Sequence, residues 1–354
     1  MSHCPYYGTC GGCSLQHLSE DDYKTHKTKA LHDILAAEGV DISVITDAIF
    51  LGPGQRRRID IDVKKFPAET AMGFHERGRK RILSVNACPA VHPEISRLLK
   101  PLREVFDHVL DMREKAHVYI TKGANGIDVL VSGLKRKLPD DSCAQFQQFA
   151  GDYGLARLQI KQKRAIQFTC QTADPVVQFG SRSVPISANV FLQASESADK
   201  TLADLVVANI PEESRKVCEV YCGRGTLSIP IADAGHRVTG YESDKRAVQA
   251  LASVDHPNIT VVQRDLFATP LSAEEIAESD ILVADPPRTG MASMIPTVIA
   301  SGVGRIIYVS CGPESFARDV KALCDSGYVL DKAIPVDQFH WTEHIEVVGV
   351  LSKG

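Results

Sequence analysis

Three cysteines lie close together at the start of the chain and could bind a metal. Cys4, Cys10 and Cys13 have the spacing C-x5-C-x2-C. Thiolates this close in sequence converge readily on a soft metal centre, either zinc or an iron–sulfur cluster. Three ligands are one too few, and Cys88, in the sequence NACP, is the best candidate for the fourth. The alternative is a set of reduced thiols without a metal, but the crowding of three of them favours a metal centre.

Cys311 and Glu346 are the residues that could do covalent and proton-transfer chemistry. Cys311 lies in the sequence YVSCGP at 308–313, where a predicted apolar strand opens into a turn. A thiol at the carboxyl end of a buried strand is placed as a nucleophile would be, although a small core cysteine has the same signature. Glu346 begins the last apolar segment, where an edge carboxylate in solvent is the simpler interpretation.

The sequence VCEVYCGRGT at 217–226 has the form of a cofactor-binding turn. An apolar strand enters a turn with glycine at positions 223 and 225. Glycine lets the backbone pass close to a ligand ahead of a helix N-terminus. Neither G-x-G-x-x-G nor a following Lys-Ser/Thr pair is present, so dinucleotide and triphosphate loops fit poorly. We therefore expect Gly223 to lie against a cofactor of another kind.

Acidic residues follow the next three predicted strands. Glu242 closes the strand about 20 residues after the glycine turn, where a carboxylate can bind both hydroxyls of a ribose. Asp265 follows the third strand at a position suited to an adenine amino group, and Asp285, in DPPR, ends the fourth and would face the methyl-transfer site. Their order favours S-adenosylmethionine as the cofactor. Arg288 replaces the aromatic residue that stacks on a base in amino-group methylation, which argues against that reaction.

These motifs need a parallel sheet to bring them together, and the C-terminal half predicts one. Helices and strands alternate from about residue 195, with strands at 216–221, 237–242, 259–263, 280–284, 305–309 and 345–351. This alternation indicates a doubly wound α/β sheet whose ligands bind beyond the carboxyl ends of the strands. The sequence therefore predicts a Rossmann-like class I methyltransferase domain over residues 189–354.

The N-terminal half has a different pattern. Residues 19–39 predict a helix with Ser19 as its N-cap, so that residues 1–50 form a cysteine-rich arm and helix. Short alternating strands follow from about 40 to 185, interrupted by one helix at about 93–111. This pattern indicates a mostly antiparallel α+β domain over residues 51–188, which contributes Cys88 to the metal site.

Charge is divided unevenly along the chain. Residues 51–190 carry 23 Lys and Arg against 14 Asp and Glu, a net charge of +9, whereas residues 191–354 carry a net −9. The bases form four runs, at 56–58, 77–81, 135–137 and 161–164. One such run is usually a solvated face, but four in one segment of an acidic protein indicate a polyanionic partner. A nucleic acid is a candidate for that partner.

Composition excludes several other classes of protein. No stretch of the 354 residues approaches the roughly 20 apolar residues of a membrane span. The N-terminus lacks the basic-then-apolar pattern of a secretion signal. We expect a cytoplasmic protein with no membrane association and no obligate protein partner.

One reaction would use both Cys311 and Glu346. C5 of uracil is a poor nucleophile toward a sulfonium methyl group, and addition of a thiolate to C6 makes it electron-rich. After methyl transfer C5 still carries its hydrogen, so a base must remove this proton before the thiol can leave. Cys311 can supply the thiolate and Glu346 the base.

The chain resembles the RNA uracil-5-methyltransferase family, which makes 5-methyluridine in 23S ribosomal RNA and in tRNA. The matching motifs span nearly the whole sequence: C-x5-C-x2-C with Cys88, Phe191-Leu192-Gln193, YCGRG, DPPR, VSCGP and TEHIE. The resemblance implies that Cys311 is the nucleophile and Glu346 the proton acceptor. It also implies a [4Fe–4S] cluster on Cys4, Cys10, Cys13 and Cys88, and S-adenosylmethionine contacts from Gln193, Tyr221, Glu242 and Asp285.

The chain also departs from the family pattern. Gly312 stands where Asn usually follows the nucleophile, Glu219 where Asp is usual, and Trp341 where Pro is common. We expect no small β-barrel of the kind that some relatives carry, because only three residues precede Cys4 in this sequence. The resemblance is therefore closest to the iron–sulfur 23S rRNA branch without the barrel, with tRNA as the alternative substrate.

Two other functions fit parts of this pattern. A cytosine-5 RNA methyltransferase also uses cysteine addition, but it would leave TEHIE unexplained. A non-catalytic RNA-binding iron–sulfur protein with a vestigial cofactor fold would not need the thiol of Cys311.

Overall fold

The computed structural model describes residues 4–354, which form two β-sheets joined by a short hairpin and ten helices. The helices are α1 (Glu20–Ala37), α2 (Pro93–Ser96), α3 (Leu99–Val109), α4 (Asp140–Asp152), α5 (Glu196–Ala208), α6 (Ser228–Asp233), α7 (Lys245–Ala252), α8 (Ala273–Ala277), α9 (Ile295–Ser301) and α10 (Pro313–Cys324). The strands of the N-terminal sheet and the hairpin are β2 (Arg58–Lys65), β3 (Thr70–His75), β4 (Ile82–Ser84), β5 (Lys115–Gly123), β6 (Gly126–Ser132), β7 (Arg157–Gln162), β8 (Ala165–Gln171), β9 (Val176–Phe179) and β10 (Arg182–Pro185). The strands of the C-terminal sheet are β1 (Ile49–Phe50), β11 (Lys216–Val220), β12 (Arg237–Glu242), β13 (Ile259–Gln263), β14 (Ile281–Ala284), β15 (Arg305–Ser310), β16 (Tyr328–Asp337) and β17 (Glu346–Lys353).

The N-terminal sheet has seven strands in the order β4-β3-β2-β5-β6-β7-β8. Along β2, Ile59, Ile61 and Val63 are buried while Asp60 is exposed, the alternation of a strand with one covered face. Every neighbouring pair is antiparallel except β6 and β7, which are parallel. The prediction of a mostly antiparallel α+β unit is confirmed.

The prediction of a single helix in this region is wrong, because the helix expected at about 93–111 is divided into α2 and α3, and α4 is a third helix. Parallel neighbours require a crossover connection, and α4 provides it between β6 and β7. Its apolar residues recur at helical spacing and are buried, and Phe146 packs edge-on against Phe106 of α3 at 5.3 Å between ring centroids. Two acidic residues in the first turn, Asp140 and Asp141, were the overlooked start signal.

The C-terminal sheet has eight strands in the order β1-β16-β17-β15-β14-β11-β12-β13. Strands β11 to β15 are parallel, whereas β17 is inserted antiparallel between β15 and β16. All four residues of β14 are buried because helices cover both faces of the sheet. The chain reverses its direction of travel across the sheet at β11, the switch point where ligands bind in such folds. The predicted Rossmann-like architecture is confirmed.

The N-terminal arm packs on the C-terminal sheet. Ser19 caps α1 as predicted, accepting a hydrogen bond from the Asp22 N–H, and Leu31 and Leu35 are buried in the same cluster as α10. Strand β1 pairs in parallel with β16 at the edge of this sheet. The arm thus lies within reach of the loop 338–345 that precedes β17.

A buried lysine ties α1 to that loop. Lys27 is 1% exposed, and its Nζ lies 2.9 Å from Asp337 Oδ1 and 3.0 Å from the carbonyl oxygen of Thr342, with a further contact to the carbonyl of His344. Tyr23 donates a hydrogen bond to the other oxygen of Asp337. Because every donor of the ammonium group has an acceptor, the charge is held without solvent.

We expect Lys27→Met to lower the free energy of unfolding by about 3–5 kcal/mol, because it leaves the Asp337 carboxylate buried without its cation. Urea denaturation followed by circular dichroism measures this loss. Lys24→Met is the matched control, since Lys24 pairs with Glu20 on the exposed face of the same helix and its loss should change little. Equal stabilities of the two variants would show that the buried pair does not anchor the arm.

The segment 186–194 links the two sheets and positions Gln193. The backbone N–H of Arg57 donates to the carbonyl of Ala194 at 2.8 Å, and the hydroxyl of Thr121 donates to the carbonyl of Ala188 at 2.8 Å. Arg57 also forms a buried ion pair with Asp199 of α5 at 2.5 Å. These contacts hold Gln193 over the carboxyl edge of the C-terminal sheet.

No helix within residues 4–354 has the length and apolar character needed to cross a membrane.

Candidate active site

A cavity of about 930 Å³ lies beyond the carboxyl edge of the C-terminal sheet, between that edge and residues of the N-terminal half. Its lining includes every residue that the sequence suggested for cofactor binding or catalysis: Gln193, Tyr221, Gly223, Glu242, Asp265, Asp285, Cys311 and Glu346. Because parallel strands end at the same edge, residues far apart in sequence meet there.

The glycine turn and Glu242 form one end of the cavity. Tyr221 and Gly223 follow β11 with φ of +63° and +56°, left-handed values that only glycine adopts without strain. The N–H of Gly223 donates to Glu242 Oε2 at 3.1 Å, and the other oxygen accepts from the N–H of Asp244 at 2.7 Å. The Glu242 carboxylate is therefore held in place at the end of β12.

Asp265 lies at the same end but is exposed and already used by its own turn. Its Oδ1 accepts hydrogen bonds from the N–H groups of Phe267 and Ala268 at 3.0 and 3.3 Å. Phe267, which sequence reasoning missed, is half exposed in the cavity with its ring 5.8 Å from that of Tyr221. An apolar ring at this position could cover one face of an adenine. The contact of Asp265 with adenine stays a prediction.

Cys311, Asp285, Glu346 and Arg288 meet at the other end. Burial raises the pKa of the Cys311 thiol to about 11, the negative charges of Glu346 and Asp285 add to this effect, and the Arg288 guanidinium opposes it. The thiol is therefore protonated at neutral pH when the site is empty of substrate. Arg288 lowers the pKa of Cys311 through its charge and a hydrogen bond, so it can stabilise a thiolate there.

Gly312 allows the turn after Cys311 to approach the DPPR segment closely. A Cβ atom at position 312 would lie 2.7 Å from the carbonyl oxygen of Arg288 and 2.8 Å from Ser315 Oγ. The hydroxyl of Ser315 donates to that same carbonyl at 2.8 Å. Gly312, in place of the usual Asn, therefore allows a close contact between the segment that carries Cys311 and the segment that carries Arg288.

Glu346 is 1% exposed, so the interpretation of an edge carboxylate in solvent is wrong. The strand that it begins is inserted between β15 and β16, which buries its first residue. Burial raises the pKa of Glu346 to about 7, and a hydrogen bond from Gln338 and the charge of Arg288 oppose the rise. Burial and the charge of Glu346 also raise the pKa of Asp285 well above its usual range. A carboxyl group with a pKa near neutrality can both take up and release a proton.

Positive and aromatic side chains line the mouth of the cavity. Arg56, Arg58 and Arg77 of the N-terminal half contribute to it, as does Phe191. Phe191 is 71% exposed, and the Arg58 guanidinium lies 5.5 Å from the centre of its ring. An exposed ring next to cations offers a surface on which a nucleobase can stack.

The cysteine-rich segment lies beside this mouth. Its residues Ser14 and Leu15 donate backbone hydrogen bonds to the carbonyl of Trp341 at 2.9 and 3.0 Å, in the loop 338–345. On its other side, the N–H of Gly11 donates to the carbonyl of His75 at 3.0 Å in the N-terminal sheet. The segment thus contacts both the sheet that carries the basic residues and the loop that leads to Glu346.

The four predicted metal ligands lie close enough for their charges to influence one another. Burial chiefly raises the pKa values of Cys10, Cys13 and Cys88, and the charge of Cys4 adds to each rise. The guanidiniums of Arg77 and Arg56 lower the pKa values of Cys10 and Cys13, respectively, as suits a group of thiolates. Four neighbouring thiols have the donor chemistry that a soft metal centre takes. Within residues 4–354, however, no three His, Cys, Asp or Glu side chains are already arranged as a metal site.

Four features together define a class I methyltransferase fold. They are the parallel sheet, the glycine turn after β11, the acidic residue that ends β12, and the cavity at the switch point of the sheet. A protein-family model described as tRNA (uracil-5-)-methyltransferase matches residues 274–354, and one described as ribosomal RNA adenine dimethylase matches residues 190–292.

Relatives match almost the entire chain. An uncharacterised RNA methyltransferase of Caulobacter vibrioides is 32% identical, with 99% of this chain and 85% of the relative covered. The 23S rRNA (uracil(1939)-C(5))-methyltransferase of Vibrio parahaemolyticus is 28% identical over 99% of this chain and 81% of the relative. The chain belongs to the RNA uracil-5-methyltransferase family.

A solved structure shares the fold. The Pyrococcus abyssi tRNA (uracil-54, C5)-methyltransferase in complex with S-adenosyl-L-homocysteine superimposes with a TM-score of 0.75 at 24% sequence identity. The match covers 97% of this chain and 86% of that one. The two-sheet arrangement is therefore common to both proteins.

Proposed function

We propose that this protein transfers the methyl group of S-adenosylmethionine to C5 of a uridine in RNA, through a covalent bond between Cys311 and C6. The observation that carries the proposal is the meeting of a thiol, a cation and two buried carboxyl groups at one end of a single cavity. The other end carries the glycine turn and Glu242, where the nucleoside part of the cofactor would bind. S-adenosylmethionine, when bound, supplies an electrophilic methyl group.

In this mechanism Cys311 Sγ forms a bond to C6 of the uracil, and the C5–C6 π electrons move toward O4. The electron-rich C5 then takes the methyl group as the sulfonium carbon–sulfur bond breaks. Glu346 removes the C5 proton, the C5–C6 double bond re-forms and the bond from Sγ to C6 breaks. The product is 5-methyluridine, and Cys311 is regenerated.

Cys311 loses its proton to water before it adds to C6, and the empty site opposes this step because the thiol is buried and faces the charges of Glu346 and Asp285. Arg288 stabilises the thiolate as it forms. Glu346, with a pKa of about 7, can accept a proton at neutral pH. Asp285, which accepts a hydrogen bond from Gln193 at 3.2 Å, lies where the cofactor and the base would meet.

RNA is the substrate that the charge and shape of the cavity mouth support. The net charge of +9 over residues 51–190 would attract the phosphate backbone without reading its sequence. A uridine must leave its stack to expose C5 and C6 to a buried thiol. The exposed Phe191 ring, backed by Arg58, could then stack on a neighbouring base.

A uridine of 23S rRNA is the proposed target, with tRNA as the alternative. Mass spectrometry of RNA from cells with and without the gene tests this choice, because the missing methyl group maps to one nucleotide. Purified protein should restore that methyl group on the same RNA when S-adenosylmethionine is added. Methylation of a cytosine, or of no base at all, would contradict the proposed function.

We also propose a [4Fe–4S] cluster on Cys4, Cys10, Cys13 and Cys88, which would join the arm to the N-terminal sheet. No step of methyl transfer requires it, because that reaction moves no net electrons. Its support is the mutual electrostatic influence of the four cysteines, the nearby guanidiniums of Arg77 and Arg56, and the spacing of the cysteines in the sequence.

Protein purified without oxygen should absorb broadly near about 400 nm and contain about four iron atoms per chain. Cys88→Ser should remove most of this absorbance, because one of four ligands is lost. Cys170→Ser, which changes a half-buried cysteine of β8, is the control and should keep the full absorbance. A colourless protein with one zinc per chain would refute the cluster.

A further inference from the structure

Gln338 occupies a buried position between the cofactor side and the base side of the cavity. It follows β16 directly, and its Oε1 accepts a hydrogen bond from the N–H of Ala194 at 2.9 Å. A backbone N–H can only donate, so this contact determines which end of the amide is the carbonyl. The NH2 end of Gln338 must therefore point the other way.

The NH2 group of Gln338 has two acceptors. It lies 2.8 Å from Glu346 Oε2 and 2.8 Å from Gln193 Oε1, which uses both of its hydrogens. Gln193 in turn donates from its own NH2 group to Asp285 Oδ2 at 3.2 Å. The amides of Gln338 and Gln193 thus connect the carboxyl groups of Glu346 and Asp285. In each of these hydrogen bonds the donor and the acceptor are fixed.

We infer that Gln338 is a positioning residue that donates a hydrogen bond to Glu346 Oε2, holds this carboxylate in one place and couples it to Gln193. The inference rests on the proposed function, in which Glu346 removes the C5 proton. Gln338 can only donate toward Glu346, so it favours the carboxylate over the carboxylic acid. It also holds the carboxylate in one orientation through its anchor on the Ala194 N–H.

The other groups around Glu346 make this donor important. Asp285 and Cys311 follow the ends of β14 and β15, and neither stabilises a negative charge on Glu346. Arg288 does so by its charge, but its side chain is exposed. Gln338 is thus the buried group that stabilises the ionised base, whose pKa burial has raised to about 7.

The test is the pH dependence of proton removal in single-turnover reactions with Gln338→Met. This variant keeps the size of the side chain and removes its donors. The pKa that limits the rate on the acid side of the profile should rise by about one unit. Release of methylated RNA should therefore slow about fivefold at pH 7 and recover at pH 9. The covalent RNA adduct should accumulate at pH 7 for the same reason.

Gln338→Glu provides a second variant, because an ionised carboxylate cannot donate and repels Glu346. It should shift the acid limb further in the same direction. Gln167→Met is the matched control: the Gln167 amide also makes two backbone hydrogen bonds, both to Leu138 in the N-terminal half, and its loss should leave the pH profile unchanged. Thermal unfolding of each variant identifies any loss of the fold.

An unchanged pH profile in Gln338→Met, or an equal loss of rate at every pH, would overturn the inference. Glu346→Gln separates this outcome from failure of the proposed function. If Glu346→Gln releases product at the rate of the unaltered enzyme, Glu346 is not the base and both proposals fail. If it traps the adduct while Gln338→Met behaves like the unaltered enzyme, only the role of Gln338 is refuted.

Discussion

Cys311→Ala should reduce methyl transfer by about 10⁴-fold or more, the size of effect seen when a covalent nucleophile is removed. Without the bond from Sγ to C6, C5 of the uracil does not become nucleophilic, and no later step can compensate. Binding of S-adenosylmethionine should change little, since Glu242 and Gly223, which we propose contact the cofactor, lie at the other end of the cavity. Transfer of a radioactive methyl group to RNA measures the rate, and calorimetry measures cofactor binding.

The matched control is Cys324→Ala, which alters another half-buried cysteine of the C-terminal half, at the end of α10. It should keep normal activity. Alkylation adds an independent check: with a pKa of about 11, Cys311 should react slowly with iodoacetamide at pH 7 and much faster at pH 10. A fully active Cys311→Ala protein would exclude the covalent mechanism, and a protein that binds RNA but never methylates it would be a non-catalytic RNA-binding protein.

Glu346→Gln should trap the enzyme on its substrate. The substitution keeps the shape of the side chain and removes its ability to take a proton, so addition of Cys311 and methyl transfer proceed while elimination stalls. Methylated RNA should remain attached to the protein on a denaturing gel, and turnover should fall by about 10²–10⁴-fold. Raising the pH should not restore turnover, because an amide does not ionise.

Glu213→Gln, at an exposed position in the loop before β11, is the control for this experiment and should release its product normally. Double substitution of Cys311 and Glu346 should abolish the adduct, which shows that the bond is to the cysteine. If Glu346→Gln gives free methylated RNA at the normal rate, another group removes the C5 proton. If it gives neither adduct nor methylated RNA, Glu346 acts before methyl transfer rather than after it.

Most of the C-terminal sheet follows from local pattern. The strand expected at 259–263 is β13 with the same limits, and the helix expected over 195–209 is α5, one residue shorter at each end. Strand β16 was missed because it contains Pro335, which a central strand usually excludes. A β-bulge between Leu330 and Lys332 also interrupts the pairing of β16 with β17.

The sequence alone was enough to predict the class of fold and the residues that could do the chemistry. A strand, its turn and the residue that follows are local features, so Gly223, Glu242, Asp285 and Cys311 could all be assigned to strand ends from their neighbours. These residues can be assigned to one site because parallel strands end at a common edge of the sheet.

Tertiary structure alone decided how those residues are held. Gln338 lies 145 residues from Gln193 in the chain, and Lys27 lies 315 residues from the carbonyl of Thr342 that it binds. Neither residue belongs to a motif, because a hydrogen bond between distant segments leaves no periodic pattern in either of them. Burial of Glu346 also depends on the insertion of β17 between β15 and β16. Local residue types determine which groups can react, whereas long-range packing sets their solvation, and solvation sets their protonation.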